Sequence, residues 1–357
     1  MSISVMLKPA SGSCNLQCAY CFYHSLAKDR KQENMGMMSK ETALRVIDQS
    51  FSFAKGGDVF FTFQGGEPLL AGIDFFSLFF EEASKRQSEC SSLHFCVQTN
   101  GTLIDENWCA LFKKYGCLVG VSLDGDKELN SYRLYPDGSS SFDDVMNGIS
   151  LLKKYNVTFN VLAVLTARSA RSVRNSYRFF KSQGLHYLQY IPCLKPFSGD
   201  YDSSIYMDND DYAYFLEHGF KLYFNDNMRG NSVSVRSFDN YVRLFRGQNA
   251  EQCGMNGFCS TQFVVEADGS TYPCDFYCTD QWLLGNINTS SFEEMYVDKK
   301  SVEFLKESFA VDKKCKTCDY FTVCRAGGCK RNRASENYCE AYTSFFKSSM
   351  HLLRQMR

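Results

Sequence analysis

The regular alternation of short apolar runs with amphipathic stretches over the first 195 residues constrains the fold more than any other feature of this 357-residue sequence. Strand-like runs rich in β-branched and aromatic residues fall at 4–7, 59–63, 93–98, 118–123, 158–165 and 187–191, and helical periodicity occupies 40–54, 73–85, 105–115, 142–155 and 170–183. Strands separated by helix-length crossovers read as parallel β-α units. Right-handed crossovers then curl them into an α/β fold, a partial (β/α)6 TIM-like barrel that stays open. Ligands of such sheets gather at the carboxyl ends of the strands. Four polar segments stand there: a cysteine loop after the first strand, Gln64-Gly65-Gly66-Glu67-Pro68 after the second, Gln98-Thr99-Asn100-Gly101 after the third, and Ser122-Leu123-Asp124-Gly125 at the end of the fourth.

The loop Cys14-Asn15-Leu16-Gln17-Cys18-Ala19-Tyr20-Cys21 packs three cysteines at C-x3-C-x2-C spacing into eight residues. Iron–sulfur cubanes normally take four thiolates, so three leave one iron free for another ligand. A zinc loop more often shows paired C-x2-C, and a redox C-x-x-C has no need of Cys14. The chain carries 17 cysteines in all. Disulfides on that scale belong to small exported domains. Here Met1–Pro9 is not a secretory signal, so a reducing cytoplasm and metal or cluster ligation are expected. Nine of the cysteines crowd between Cys253 and Cys339, while Cys90, Cys96, Cys109, Cys117 and Cys193 sit mostly beside apolar residues, as buried structural thiols do. Net charge is −1, from 39 basic and 40 acidic residues, which gives no reason to expect nucleic acid as a partner. No segment has the apolar length of a membrane span, and the run 75–80 reads as a buried helix face.

Residues 200–250 read as a helical connection with a short strand at 232–237, and 342–357 as one amphipathic helix. From Cys253 the composition turns to cysteine, glycine and short turn-rich pieces, too poor in apolar runs for a large core of its own. The expected division is a barrel domain at 1–235, a cysteine-rich domain at 236–340 and a terminal helix at 341–357.

The cysteine loop and the Gly-Gly-Glu-Pro segment one β-α unit later resemble the radical S-adenosylmethionine (SAM) enzymes. That resemblance implies a [4Fe-4S] cluster on Cys14, Cys18 and Cys21 whose open iron is chelated by SAM. It places Tyr20, Gly66, Glu67, Ser122, Asp124, Arg133 and Leu194 around the cofactor, with Glu67 offering a carboxylate to an ammonium group. Cys253-x5-Cys259-x9-Gly269-x4-Cys274, followed by Cys315-x2-Cys318-x5-Cys324, Cys329 and Cys339, resembles the SPASM extension of that family. The family pattern assigns Cys253, Cys259, Cys274 and Cys329 to one auxiliary [4Fe-4S] cluster, and Cys315, Cys318, Cys324 and Cys339 to a second. Four residues separate Cys324 from Cys329 where the family usually has three, which leaves the partition of those two open. Cys278 is extra, and two zinc sites would use the same thiolates.

Segments such as Lys8-Pro9-Ala10-Ser11, Cys21-Phe22-Tyr23-His24-Ser25-Leu26, Cys253-Gly254-Met255-Asn256-Gly257 and Tyr272-Pro273-Cys274-Asp275-Phe276-Tyr277 resemble the anaerobic sulfatase-maturating enzymes. The resemblance runs from near residue 5 to Cys339. It implies oxidation of a cysteine or serine of a sulfatase polypeptide to Cα-formylglycine, with reduced ferredoxin or flavodoxin as electron donor. Making an aldehyde from a thiol or alcohol requires loss of a Cβ hydrogen, a proton and one further electron. In the family the cofactor radical takes the first and Asp275 is the base for the second. The auxiliary clusters can take the third, Gln64 can hold the substrate side chain, and a dry pocket is expected to make Asp275 a stronger base. A maturase of ribosomally made peptides shares both domains, but often adds a leader-recognition domain ahead of a barrel with which this chain begins directly. An electron-transfer protein would gain nothing from an open iron.

Overall fold

The computed structural model describes residues 1–197, 201–335 and 337–356. The chain forms two compact units, each assembled from separated segments: Met1–Ser122 with Arg133–Phe159 and Thr261–Phe304, and Leu123–Tyr132 with Asn160–Ser260 and Leu305–Arg357. Its strands are β1 (Ile3–Lys8), β2 (Val59–Phe63), β3 (Leu93–Thr99), β4 (Leu118–Ser122), β5 (Phe159–Leu165), β6 (Tyr187–Pro192), β7 (Ser234–Val235), β8 (Phe263–Glu266), β9 (Ser270–Tyr272) and β10 (Gly285–Asn286).

In the first unit the strand order is β10-β9-β8-β1-β2-β3-β4. Strands β8, β1, β2, β3 and β4 run parallel, so their carboxyl ends share one edge, while β9 and β10 add an antiparallel meander. The helices Lys40–Ala54 and Ile73–Lys85 keep the bounds expected from periodicity. Ser39 caps the first of them by accepting from Thr42 N, satisfying a backbone donor that a helix start leaves open. On Ile73–Lys85, Phe76, Phe79, Phe80 and Ala83 are buried at i, i+3, i+4 and i+7, the stripe of a helix lying on a sheet. They pack on Phe63 of β2, with ring centroids 4.8, 5.0 and 5.8 Å from Phe76, Phe79 and Phe80. The run 75–80 is therefore a core helix face, as expected.

β8 was not among the sequence's strand candidates. Phe263-Val264-Val265-Glu266 is wholly buried and pairs with β1, opposing Lys8 to Glu266. Four residues are too few to show a period, which is why pattern reading passed over them.

In the second unit β5, β6 and β7 are parallel. The expected helix at 170–183 is two, Ala167–Arg171 and Val173–Ser182, because a Thr166–Ser169 capping box starts the first early and the chain turns at Ser172. The strand expected at 232–237 shrinks to β7, since Arg236 already opens the helix Arg236–Phe245. Asp208 and Asp211 form a capping box for the long helix Asn209–Met228. The terminal helix spans Cys339–Gln355, beginning three residues before the expected position, and Arg357 lies outside the described residues. Phe220 meets Phe345 at 5.4 Å and Tyr241 meets Phe346 at 5.3 Å, joining these helices in one aromatic core. Among the described residues no helix is long and apolar enough to cross a membrane.

Phe63→Ala should lower stability by about 3–5 kcal/mol, since the three rings around it cannot close the cavity. A chemical denaturation midpoint unchanged from the parent would refute that packing account.

Candidate active site

The cysteine loop is tied to the ends of β2 and β3 by backbone. Gly66, at φ +54°, lies so close that a Cβ there would meet Ser13 O at 2.2 Å. The next residue donates from Glu67 N to Ser13 O at 2.8 Å. The close approach at Gly66 is to the chain's own backbone. Asn100 donates from Nδ2 to Asn15 Oδ1 at 2.7 Å and toward Cys14 Sγ at 3.8 Å, and Leu16 N points at the same sulfur from 3.4 Å. Burial raises the Cys14 thiol to about 11.

Glu67 is fully buried. Its oxygens accept from Leu69 N at 3.0 Å, Thr99 Oγ1 at 2.8 Å and Asn100 N at 2.7 Å, so the carboxylate fastens the end of β2 to the end of β3. Two of these bonds fall on Oε1 and one on Oε2, so the carboxylate keeps acceptor capacity beyond this local use.

Asp275 sits in the turn Asp275–Tyr277 after β9 and is 5% exposed. Its Oδ2 accepts from Tyr23 Oη at 2.6 Å, and Gln64 Nε2 donates to the same Tyr23 oxygen at 2.6 Å and reaches Asp275 Oδ2 at 3.5 Å. Lys8 Nζ stands 3.0 Å from Oδ1; the contact is ionic, with no hydrogen bond aligned on that oxygen. Lys8 also lies 3.5 Å from Glu266 Oε1, and Arg30 Nη1 bonds that same oxygen at 2.7 Å. Two cations thus balance two carboxylates out of water. Burial alone would lower the Lys8 pKa, but Asp275, Cys278 and Glu266 together hold it above its ordinary value. Burial would likewise raise Glu266, and Lys8 with Arg30 outweighs it, holding the carboxyl below its usual range. Cys278, the extra cysteine, is fully buried beside Lys8 at 3.4 Å, and burial pushes its thiol up to about 12. The sequence singled out Asp275 and Gln64 but not Lys8, Tyr23, Arg30 or Glu266. The available signal was a lysine ending the apolar run of β1, where an inward position favours an apolar side chain.

Of the other expected residues in this unit, Arg133 holds its guanidinium over the Tyr20 ring at 5.5 Å, and both are buried. Ser122 accepts from Gln98 Nε2 at 3.0 Å. Cys18 and Cys21 are joined through backbone, Cys21 N to Cys18 O at 3.1 Å, and Cys21 opens the helix Phe22–Lys28. Cys274 precedes Asp275 and its carbonyl accepts from Tyr277 N at 3.0 Å. In the second unit Asp124 is buried, with Oδ1 accepting from Val164 N at 2.8 Å, and Leu194 is buried just past β6.

The second unit also gathers distal cysteines into two groups. A cavity of about 420 Å³ is lined by Cys315, Cys318, Cys324 and Cys339, with Tyr342 and Phe346 on its wall. Four thiols around one cavity are the donor set of a [4Fe-4S] cluster. The other group is Cys259, which lies within interaction reach of Cys329, and Cys253, which is within electrostatic reach of Cys259. Between Cys324 and Cys329 the residues Arg325, Ala326, Gly327 and Gly328 all have positive φ, of 48°, 57°, 75° and 78°. That left-handed run turns the two neighbouring cysteines into different groups.

Burial pushes Glu67 up to about 7 from 4.5, against the three hydrogen bonds that pull it down. The folded chain therefore holds this proton more tightly than the unfolded chain, and the fold weakens as pH rises from 4.5 through 7. Glu67→Gln should flatten that part of the stability profile; melting curves that run parallel for parent and variant across the window would contradict it.

Residues 9–180 match the Radical SAM superfamily, and residues 253–319 match an iron-sulfur cluster-binding domain, SPASM. The chain is 42% identical to the cysteine-type anaerobic sulfatase-maturating enzyme of Clostridium perfringens (strain 13 / Type A), over 97% of this chain and 95% of that one. It is 30% identical to the serine-type anaerobic sulfatase-maturating enzyme of Bacteroides thetaiotaomicron, over 96% of this chain and 88% of that one. The solved structure of native anSMEcpe with bound AdoMet and Cp18Cys peptide superposes with a TM-score of 0.93 at 39% identity, covering 99% of this chain and 98% of that chain. Fold, strand-end site and cysteine groups agree with these likenesses along essentially the whole length: the chain belongs to the anaerobic sulfatase-maturating enzymes of the radical SAM superfamily.

Proposed function

We propose that this enzyme oxidises the cysteine of a sulfatase polypeptide to Cα-formylglycine, acting in a reducing cytoplasm with electrons from ferredoxin or flavodoxin. The preference for cysteine over serine rests on the identities, 42% to a cysteine-type relative against 30% to a serine-type one. The observation that carries the chemistry is the half-buried Gln64–Tyr23–Asp275 hydrogen-bond chain, in the unit whose strand ends also hold the cysteine loop. Its cofactors are S-adenosylmethionine and three [4Fe-4S] clusters, which supply the radical that removes a Cβ hydrogen and a sink for the remaining electron.

The chain's own residues divide the rest of the work. Cys14, Cys18 and Cys21 hold one cluster by three thiolates. Cys253, Cys259, Cys274 and Cys329 hold a second, a set of which the second unit groups Cys253, Cys259 and Cys329; Cys315, Cys318, Cys324 and Cys339 hold a third, in keeping with their shared cavity. Tyr20, Gly66, Glu67, Ser122, Asp124, Arg133 and Leu194 shape the SAM pocket. Gln64 holds the substrate side chain, and Asp275 takes the thiol proton on its carboxylate. These three losses leave a thioaldehyde, which water then converts to the aldehyde with release of hydrogen sulfide.

Anaerobically reconstituted protein should carry about twelve irons. Cys324→Ala and Cys329→Ala should each lose about four of them, from spectroscopically different clusters. Sulfatase-motif peptides carrying cysteine or serine, read by mass spectrometry, test the reaction itself. Aldehyde should form faster on the cysteine peptide; equal or reversed rates would sink the preference, and aldehyde on neither would sink the activity. Asp275→Asn should suppress aldehyde while sparing much of the SAM cleavage, and full retained yield would remove Asp275 as the base.

A further inference from the structure

We propose that Lys8 is a positioning residue for the Asp275 carboxylate, holding one oxygen so that the other is presented to the substrate thiol. The proposal rests on the reading of Asp275 as the base. Four groups face the Lys8 ammonium, which is 1% exposed: Asp275 Oδ1 at 3.0 Å, Cys278 Sγ at 3.4 Å, Glu266 Oε1 at 3.5 Å and the Tyr23 ring at 4.8 Å. Glu266 already has a shorter partner in Arg30, at 2.7 Å. Arg30 and Glu266 neutralise one another, so the charge Lys8 brings is the one Asp275 requires. A buried ammonium without that carboxylate would be a costly residue to keep.

The ammonium is itself held in place. The Lys8 stem lies against Gly65, where a Cβ would stand 2.7 Å from Cγ and 2.8 Å from Cδ. Glu266 stands opposite Lys8 in the β1–β8 register. Asp275 is thus gripped at both oxygens, Oδ1 by a cation fixed on the sheet and Oδ2 by the Tyr23 hydroxyl at 2.6 Å. These two contacts are unequal in what they allow. A neutral hydroxyl can exchange its hydrogen bond for an incoming S–H, whereas a buried ammonium cannot leave its carboxylate without losing its own charge balance. Oδ2 is therefore the oxygen that accepts: the S–H bond breaks, an O–H bond forms on Oδ2, the electron pair stays on sulfur, and Lys8 remains protonated throughout.

Lys8→Met keeps the stem and removes the charge. The reconstituted enzyme should then make about a hundredfold less aldehyde per SAM cleaved, the scale of loss for a misplaced reacting group. Deuterium from a Cβ-deuterated cysteine peptide should still reach 5′-deoxyadenosine. Adding Lys8→Met to Asp275→Asn should cost nothing further, because both changes remove the same function. The double variant Lys8→Met/Glu266→Gln restores the net charge of the buried group, so it should recover the melting temperature but not the aldehyde ratio. Its anaerobic crystal structure should show Asp275 turned away from Tyr23. Recovery of the ratio together with the melting temperature would reduce Lys8 to charge balance and overturn the proposal, as would additive losses or an unmoved Asp275. If Asp275→Asn keeps the parent ratio, the base assignment fails, and a loss in Lys8→Met then arises elsewhere and also overturns the proposal. If the parent forms no aldehyde, the proposed activity fails by itself, and the position of Asp275 in the crystal decides the case of Lys8.

Discussion

A charge buried without a partner is among the most destabilising things a fold can contain, and this enzyme buries four together, Asp275 among them. Lys8, Arg30, Glu266 and Asp275 come from four places in the sequence, and none is tolerable out of water without the others. Replacing such a group by well-packed apolar residues often preserves stability, so its presence is better explained by position than by strength. What it positions is a carboxylate whose second oxygen faces Tyr23 and Gln64.

The same logic of internal contacts governs the cysteine loop. Gly66 lies on Ser13 backbone, Glu67 binds the end of β3, and Asn100 reaches back to Asn15 and Cys14. Three consecutive strand ends are thereby fastened to the loop before any ligand enters. A site built on parallel strand ends inherits the rigidity of the sheet, which suits chemistry that depends on holding a target carbon near a radical.

Much of this was legible in the sequence. The six long strands and the two helices Lys40–Ala54 and Ile73–Lys85 were clear because each carries a full period of its own pattern. The cysteine spacings and strand-end motifs carried the family, and the match around Cys274 pointed to Asp275 as the candidate base. β8 was illegible, since a four-residue buried strand has no alternation and its partner β1 lies more than 250 residues away. Lys8 and Glu266 were illegible for the same reason: their meaning is a register between distant strands, which neither residue shows alone. Glu67 was readable as important but not as a brace, because hydrogen bonds to Thr99 and Asn100 depend on how β2 and β3 are set side by side. The extra residue between Cys324 and Cys329 registered as an irregular spacing, and only backbone dihedrals show it as a left-handed turn.

The pairing of β1 with β8 also sets an order of events during synthesis. Lys8 and Cys278 are 270 residues apart, and Glu266 and Asp275 emerge only shortly before Cys278. At a ribosomal rate of about 5–20 residues per second, β1 waits roughly 13–54 seconds for these partners. Throughout that interval one edge of β1 is unpaired and a lysine destined for burial has no counter-ion, a state open to edge-to-edge association. Nascent chains truncated before β8 cannot complete the ion cluster, however well their cysteine loop has formed. Assembly of the reactive centre is therefore a late and long-range event, and the first strand made is among the last to be finished.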